Sequence, residues 1–148
     1  MILYLDTSSL VKLYVEESGT EEVQGLVGRA ELVTTSVVAY AESRAALARR
    51  RREKYLTPAG FRRAKAALDA DWDSLLTLEV GEALSRSAGD LAERHRLRGF
   101  DALHLASYLL VVREFASEDV LFSSADRVLH RAARRAFRAA RPKVARRH

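Results

Sequence analysis

Four carboxylates stand where chemistry could begin: Asp6, Glu42, Asp101 and Asp126. Asp6 closes the apolar run "ILYL" and is followed by the hydroxyl residues Thr7, Ser8 and Ser9. Glu42 lies two turns into a helical stretch that follows "LVTTS". Asp101 opens the apolar run "DALHLASYLLVVREF", and Asp126 comes just after "VLFSS". Acids brought close together repel and raise one another's pKa values, so such a cluster is stable only with a cation. The chain has no cysteine, and its histidines, His95, His104, His130 and His148, form neither an HxH nor an HExxH pair. An oxygen-only ligand set suits Mg²⁺ or Mn²⁺ rather than zinc. Such an ion binds through one or two carboxylates together with substrate phosphate, and it activates water for attack at phosphorus. The chemistry indicated is phosphodiester hydrolysis. Each acid also has a plainer use. Asp6, Asp101 and Asp126 begin helices, where carboxylates cap. Glu42 has Arg44 and Arg49 near it and reads singly as a solvated charge. The joint placement of all four is what favours a site.

The elements that must position these acids alternate. Residues 2–5, 32–36, 75–80 and 120–124 read as short buried strands. Leu10, Leu13 and Tyr14 repeat at helical spacing up to Gly19, and a second short helix runs from Thr20 to about Gly28. Ser36 is placed to cap a long helix through "RRRREK". Thr57 followed by Pro58 signals another helix start. A further helix runs to about Arg98 and is interrupted by Gly99. Asp101 and Asp126 open the last two. Strands alternating with helices imply an α/β fold, a small parallel sheet covered on both faces. Ligands bind beyond the carboxyl ends of such strands. All four acids fall at that end, whereas Asp119 precedes the fourth strand and belongs at the other.

With 148 residues the chain suits one compact domain. We expect that domain to span 1–140, with 141–148 as a basic tail. No apolar stretch is long enough to cross a bilayer, no basic-then-apolar signal opens the chain, and the lack of cysteine agrees with the cytoplasmic address we expect. The net charge of +5 is unevenly spread. From Arg127 to His148 there are nine Lys or Arg and no acid, which leaves 16 basic and 20 acidic residues, or −4, for positions 1–126. A basic end favours phosphate-rich partners, and it also serves as a solvated helix end.

The segments "LYLDTSSLVKLYVEE", "TTSVVAYAESRAALAR", "RLRGFDALHLAS" and "LFSSADRVLHRAA" resemble the four motifs of PIN-domain ribonucleases. The likeness is to the VapC-type toxins of toxin–antitoxin pairs and spans about residues 2–133. It implies a three-layer α/β/α domain with Asp6 and Asp101 as the principal Mg²⁺ ligands. Glu42 and Asp126 then complete the site, hold a second ion or orient the attacking water. Ser8 supports the site, and Ser124 stands where the family usually has threonine. The resemblance further implies an endoribonuclease that forms a homodimer, cuts structured RNA and is held by a small cognate antitoxin.

Other readings compete. A PIN-type RNA-processing nuclease needs no antitoxin. A non-catalytic nucleic-acid-binding module would use the Arg-rich C-terminus. An aspartyl-phosphate phosphatase also begins with a strand, an acid and hydroxyls, but it wants an acid two residues on, where this chain has Ser8. His104, one helical turn past Asp101 inside an apolar run, reads as a hydrogen-bonded structural histidine. "RRRREK" reads as a solvated helix end, and Arg98 as a counter-charge to the acids or to a phosphate. Tyr40 and Tyr108 read as core or dimer-interface residues, and Trp72 and Phe61 as packing.

Overall fold

The structure is a computed structural model and describes residues 1–116 and 118–140. Its elements are β1 (Ile2–Leu5), α1 (Thr7–Leu10) with a 3₁₀ turn (Val11–Leu13), α2 (Thr20–Arg29), β2 (Leu32–Ser36), α3 (Val38–Arg52), α4 (Pro58–Trp72), β3 (Leu76–Leu78), α5 (Glu82–His95), α6 (Gly99–Glu114), β4 (Val120–Ser123) and α7 (Arg127–Ala140). The four strands form one sheet in the order β3-β2-β1-β4, and every pairing is parallel. The tail expected at 141–148 lies outside the described residues.

β1 is buried on both faces, as a central parallel strand must be. Its side chains alternate between two cores. Ile2 and Tyr4 pack with Leu105, Tyr108, Val111, Phe122 and Leu129, beneath α6 and α7. Leu3 and Leu5 pack with Leu10, Val11, Ala39, Leu47 and Leu68, beneath α1, α3 and α4. The period of two in one four-residue strand thus organises a three-layer α/β/α domain.

Several boundaries differ from the sequence expectation. The first helix does not run to Gly19. It tightens after Leu10 into the 3₁₀ turn, and the chain loops back because Lys12 donates to the Ser18 carbonyl (2.7 Å) and to Glu17 (3.1 Å). Gly19 sits at φ +90°, a left-handed conformation that favours glycine, and so begins α2 rather than ending its predecessor. Gly99 is the first residue of α6, not a break before it, and Asp101 lies in the first turn. Ser36 provides only a long contact to the Val38 amide, 3.4 Å, and α3 begins without a side-chain cap. β3 is shorter than expected, at three residues. The Thr57 cap is as expected: its hydroxyl accepts from the Gly60 amide at 3.0 Å.

Candidate active site

Strand register builds the floor of the site. Leu5 pairs with Ser123, and the ladder continues through a bond from the Asp6 amide to the Ser123 carbonyl (3.1 Å). Asp6 and Ser124 therefore leave the sheet side by side. Asp6 is 3% exposed, and three donors hold its carboxylate. Ser8 Oγ (2.7 Å) and the Ser9 amide (2.9 Å) donate to Oδ1; Ser124 Oγ donates to Oδ2 at 2.5 Å. The serines in turn accept from the loop after β4: Ala125 N–H crosses to Ser8 (2.9 Å), and Asp126 N–H reaches Ser124 within that loop (3.0 Å). The loops after β1 and β4 are thus tied together through one carboxylate. The Ser9 bond also caps α1, so Asp6 serves as an N-cap while facing the cavity.

The other acids arrive on helices. Glu42 comes from the first half of α3, where its Oε1 accepts from Thr7 Oγ1 (2.7 Å) and lies 2.8 Å from His104 Nε2. Asp101 stands in the first turn of α6, where the helix dipole favours an anion. Arg98 is 3.9 Å from it, with a side chain 89% exposed. Asp126 caps α7, its Oδ1 accepting from the amides of Val128 (2.8 Å) and Leu129 (3.0 Å). All four acids, with Thr7, Ser8 and His104, line one cavity of about 650 Å³. Ser124 reaches it through Asp6. Asp119 lies at the other end of the sheet, where its carbonyl accepts from the Ile2 amide.

The electrostatics of these acids diverge. Burial pushes the Asp6 carboxyl up, despite the opposing bonds from Ser124, Ser8 and the Ser9 amide. Asp101 is also pushed up, by burial first and then by the charge of Asp126, with a pull down from Arg98 that exceeds the further push from Asp6. Burial pushes Glu42 up too, but the bonds from His104 and Thr7 overcome it and hold this carboxyl below its ordinary range.

The donor set fits a hard divalent cation. A carboxylate offers about four acceptor positions, and three donors reach Asp6, leaving it able to take another. Among the described residues no three His, Cys, Asp or Glu side chains group closely enough to hold one ion. Mg²⁺ does not need three, since waters and substrate phosphate usually complete its shell around one or two carboxylates.

Sequence reasoning missed two parts of this region. Arg49, Arg50 and Arg52, read as a solvated helix end, line the same cavity as the acids. His104 is a hydrogen-bonded buried histidine, as read, yet its partner is one of the four acids. Its spacing of three from Asp101 was the available signal, since it puts both on one side of α6. Beside the acids an apolar cleft of about 770 Å³ opens between α5 and α6, and it shares Glu42, Arg98, Phe100 and Asp101 with their cavity. The position two after Asp6 offers a serine already engaged with Asp6 and Ala125, not the second acid a phosphatase requires.

A model of the PIN domain matches residues 3–135. The chain belongs to the PIN-domain family. This PIN domain is 36% identical over 110 residues to two proteins of Mycobacterium tuberculosis strains, named Ribonuclease VapC45 and Ribonuclease VapC49. Each match covers 74% of this chain and 76% of the relative. The crystal structure of M. tuberculosis VapC20, described as a Sarcin-Ricin loop cleaving toxin, superposes with a TM-score of 0.61. That match covers 84% of this chain and 91% of VapC20 at 22% identity, so it speaks for the fold.

Proposed function

We propose that this PIN domain is a divalent-metal-dependent endoribonuclease and the toxin of a toxin–antitoxin pair. The observation that carries the reading is the gathering of Asp6, Glu42, Asp101 and Asp126 on one cavity, in a chain whose relatives are named ribonucleases. Asp6 and Asp101 would hold Mg²⁺, or Mn²⁺ in its place. Bound there, the ion supplies charge neutralisation at the scissile phosphate and a more acidic water.

The chain's own residues do the rest. Ser8 and Ser124 fix the Asp6 carboxylate between two loops, so that it needs no rearrangement on binding. Glu42 is held by one oxygen and orients the attacking water with the other. Asp126 keeps negative charge beside Asp101 while its own position is set by capping α7. Arg49, Arg52 and Arg98 stand on the cavity wall, where they neutralise phosphates flanking the scissile one. Hydrolysis adds one water across a P–O bond, and no side chain forms a covalent intermediate.

A small basic-residue-bearing antitoxin fits the acidic cavity as its inhibitor, and a homodimer is the expected assembly. Among the described residues no helix is long and apolar enough to cross a membrane, and we assign the cytoplasm as the place of action. The deciding experiment incubates purified protein with total RNA and Mg²⁺, with Asp6→Asn and Asp101→Asn in parallel, and maps the cut ends. Discrete cleavage by the wild type, lost in both variants and in chelator, supports the reading. Cleavage that survives both substitutions sinks it. RNA binding without cleavage favours the binding module. A neighbouring reading frame for a small DNA-binding protein would separate the toxin from a stand-alone processing nuclease.

A further inference from the structure

We propose that His104 is a positioning residue: braced by Tyr4, it fixes the Glu42 carboxylate through Oε1 and leaves Oε2 for the cavity. The inference rests on the nuclease reading and deepens it at the same site.

The contacts form a chain across four elements. Tyr4 Oη of β1 lies 2.9 Å from His104 Nδ1 of α6. His104 Nε2 lies 2.8 Å from Glu42 Oε1 of α3 and 3.1 Å from Thr7 Oγ1 of α1. The proton positions follow from donor arithmetic. Glu42 is an acceptor, so Nε2 carries the hydrogen that faces it. Thr7 donates its one proton to the same Oε1, so towards His104 its oxygen is an acceptor. Nδ1 is left to accept from the Tyr4 hydroxyl, which burial keeps protonated. The Nε2–H tautomer fits these contacts, its one hydrogen aimed at Glu42 and shared at longer range with Thr7.

His104 is 2% exposed and Tyr4 is fully buried, so neither hydroxyl nor ring has water as an alternative partner. Tyr4 is fixed in turn, stacked on Phe122 at 5.6 Å and edge-on to Tyr108 at 6.1 Å. Glu42 accepts both of its donors on one oxygen, which defines the carboxylate plane. His104 lies one turn along α6 from Asp101, so the same bond also sets how far α3 stands from the helix that carries Asp101. A group that orients a functional carboxylate typically costs about 10- to 100-fold in activity when removed.

Steady-state cleavage of an RNA substrate in Mg²⁺ tests this with Tyr4→Phe, His104→Ala and His104→Gln, and with Asp101→Asn as the reference for loss of catalysis. We expect Tyr4→Phe to lower kcat about 10-fold with KM unchanged. His104→Ala should lose more, and His104→Gln, which keeps an N–H for Glu42, should recover part of that loss. Circular dichroism checks folding, and Tyr4→Phe, which removes one hydroxyl from a packed ring, carries the test if His104→Ala does not fold. Independently of activity, ¹⁵N NMR of the imidazole should show a single Nε2–H tautomer in the wild type, with the Nδ1 resonance displaced in Tyr4→Phe, where its donor is gone. Folded Tyr4→Phe and His104→Gln proteins with wild-type kcat overturn this inference alone, as does an Nδ1–H tautomer. A wild type that cuts no RNA overturns the nuclease reading and this inference with it.

Discussion

The two ends of α3 hold acids with different partners, guanidinium and ammonium at one end, imidazole and hydroxyl at the other. Near its C-terminus Arg50 makes three bonds to the two Glu17 oxygens, the shortest 2.9 Å, and Lys12 adds a fourth at 3.1 Å. Burial pushes the Glu17 carboxyl up, but the Arg50 and Lys12 bonds outweigh it and hold the group below its usual range. Near the N-terminus, Glu42 looks into a cavity where Asp6 and Asp101 are both pushed up. The cation nearest Asp101 is Arg98, distant and almost wholly solvated. Arg50 and Lys12 meet the structural acid directly, whereas in the cavity Glu42 is held by His104 and Thr7 while Asp6 and Asp101 stay pushed up. Carboxyl groups raised by burial and by one another in this way are those whose charge an added cation would favour.

The sharpest break in this comparison is Asp101→Asn. It should lower RNA cleavage by about 10³-fold, the scale for removing one preorganised electrostatic group. It should also stabilise the metal-free fold. The sign follows from the raised folded-state pKa: such a group favours folding at low pH, and that contribution is lost as pH rises through the folded value. The stability advantage of Asp101→Asn over wild type should therefore grow from pH 4 towards pH 7 in urea titrations with chelator. An advantage that shrinks with pH contradicts the electrostatics described for the cavity.

Metal addition is the next largest effect. At a concentration of 100 Kd, Mg²⁺ should stabilise the wild type by about 2.7 kcal/mol, since it binds the folded state selectively. The thermal midpoint should rise with Mg²⁺, fall back with chelator, and respond much less in Asp6→Asn. Equal shifts in both proteins would place the ion elsewhere.

Glu17→Gln tests the compensated end. It leaves Lys12 and Arg50 with a neutral partner and should cost about 1.5–3 kcal/mol, the range for hydrogen bonds to charged groups, while kcat stays within experimental error. Because the Glu17 pKa is depressed on folding, its contribution is present above the unfolded value and lost as pH falls through the folded one. The variant should thus resemble wild type in strong acid and differ most near neutrality, when unfolding is followed by fluorescence.

The smallest effect is expected on the cavity wall. Arg52→Gln should raise KM modestly and reduce the slope of log affinity against log salt by about 1, as for one phosphate contact. An unchanged slope would make Arg52 a solvated charge, which is how the sequence alone reads it.

The legible features were those encoded by local pattern. "ILYL", "LVTTS" and "VLFS" are apolar enough to be recognised as strands, and all four strands appear, although β3 is trimmed to three residues. The Thr57 and Asp126 caps were readable because a cap needs only its own first turn. Gly19 and Gly99 were misread as helix ends. Glycine marks a break in periodicity without saying which neighbouring element it belongs to.

The α/β class, the lack of thiolate ligands, and which acids fall after strands rather than before them could all be read from the chain. Those depend on residue type and on the order of elements along the chain. Only the tertiary structure decided which charges meet. Arg50 and Glu42 share a helix, yet one is turned to Glu17 and the other to His104. Tyr4 and His104 are a hundred residues apart and bonded. Periodicity fixes the face of a helix, but register in the sheet and the packing of α3 against α6 fix what that face encounters.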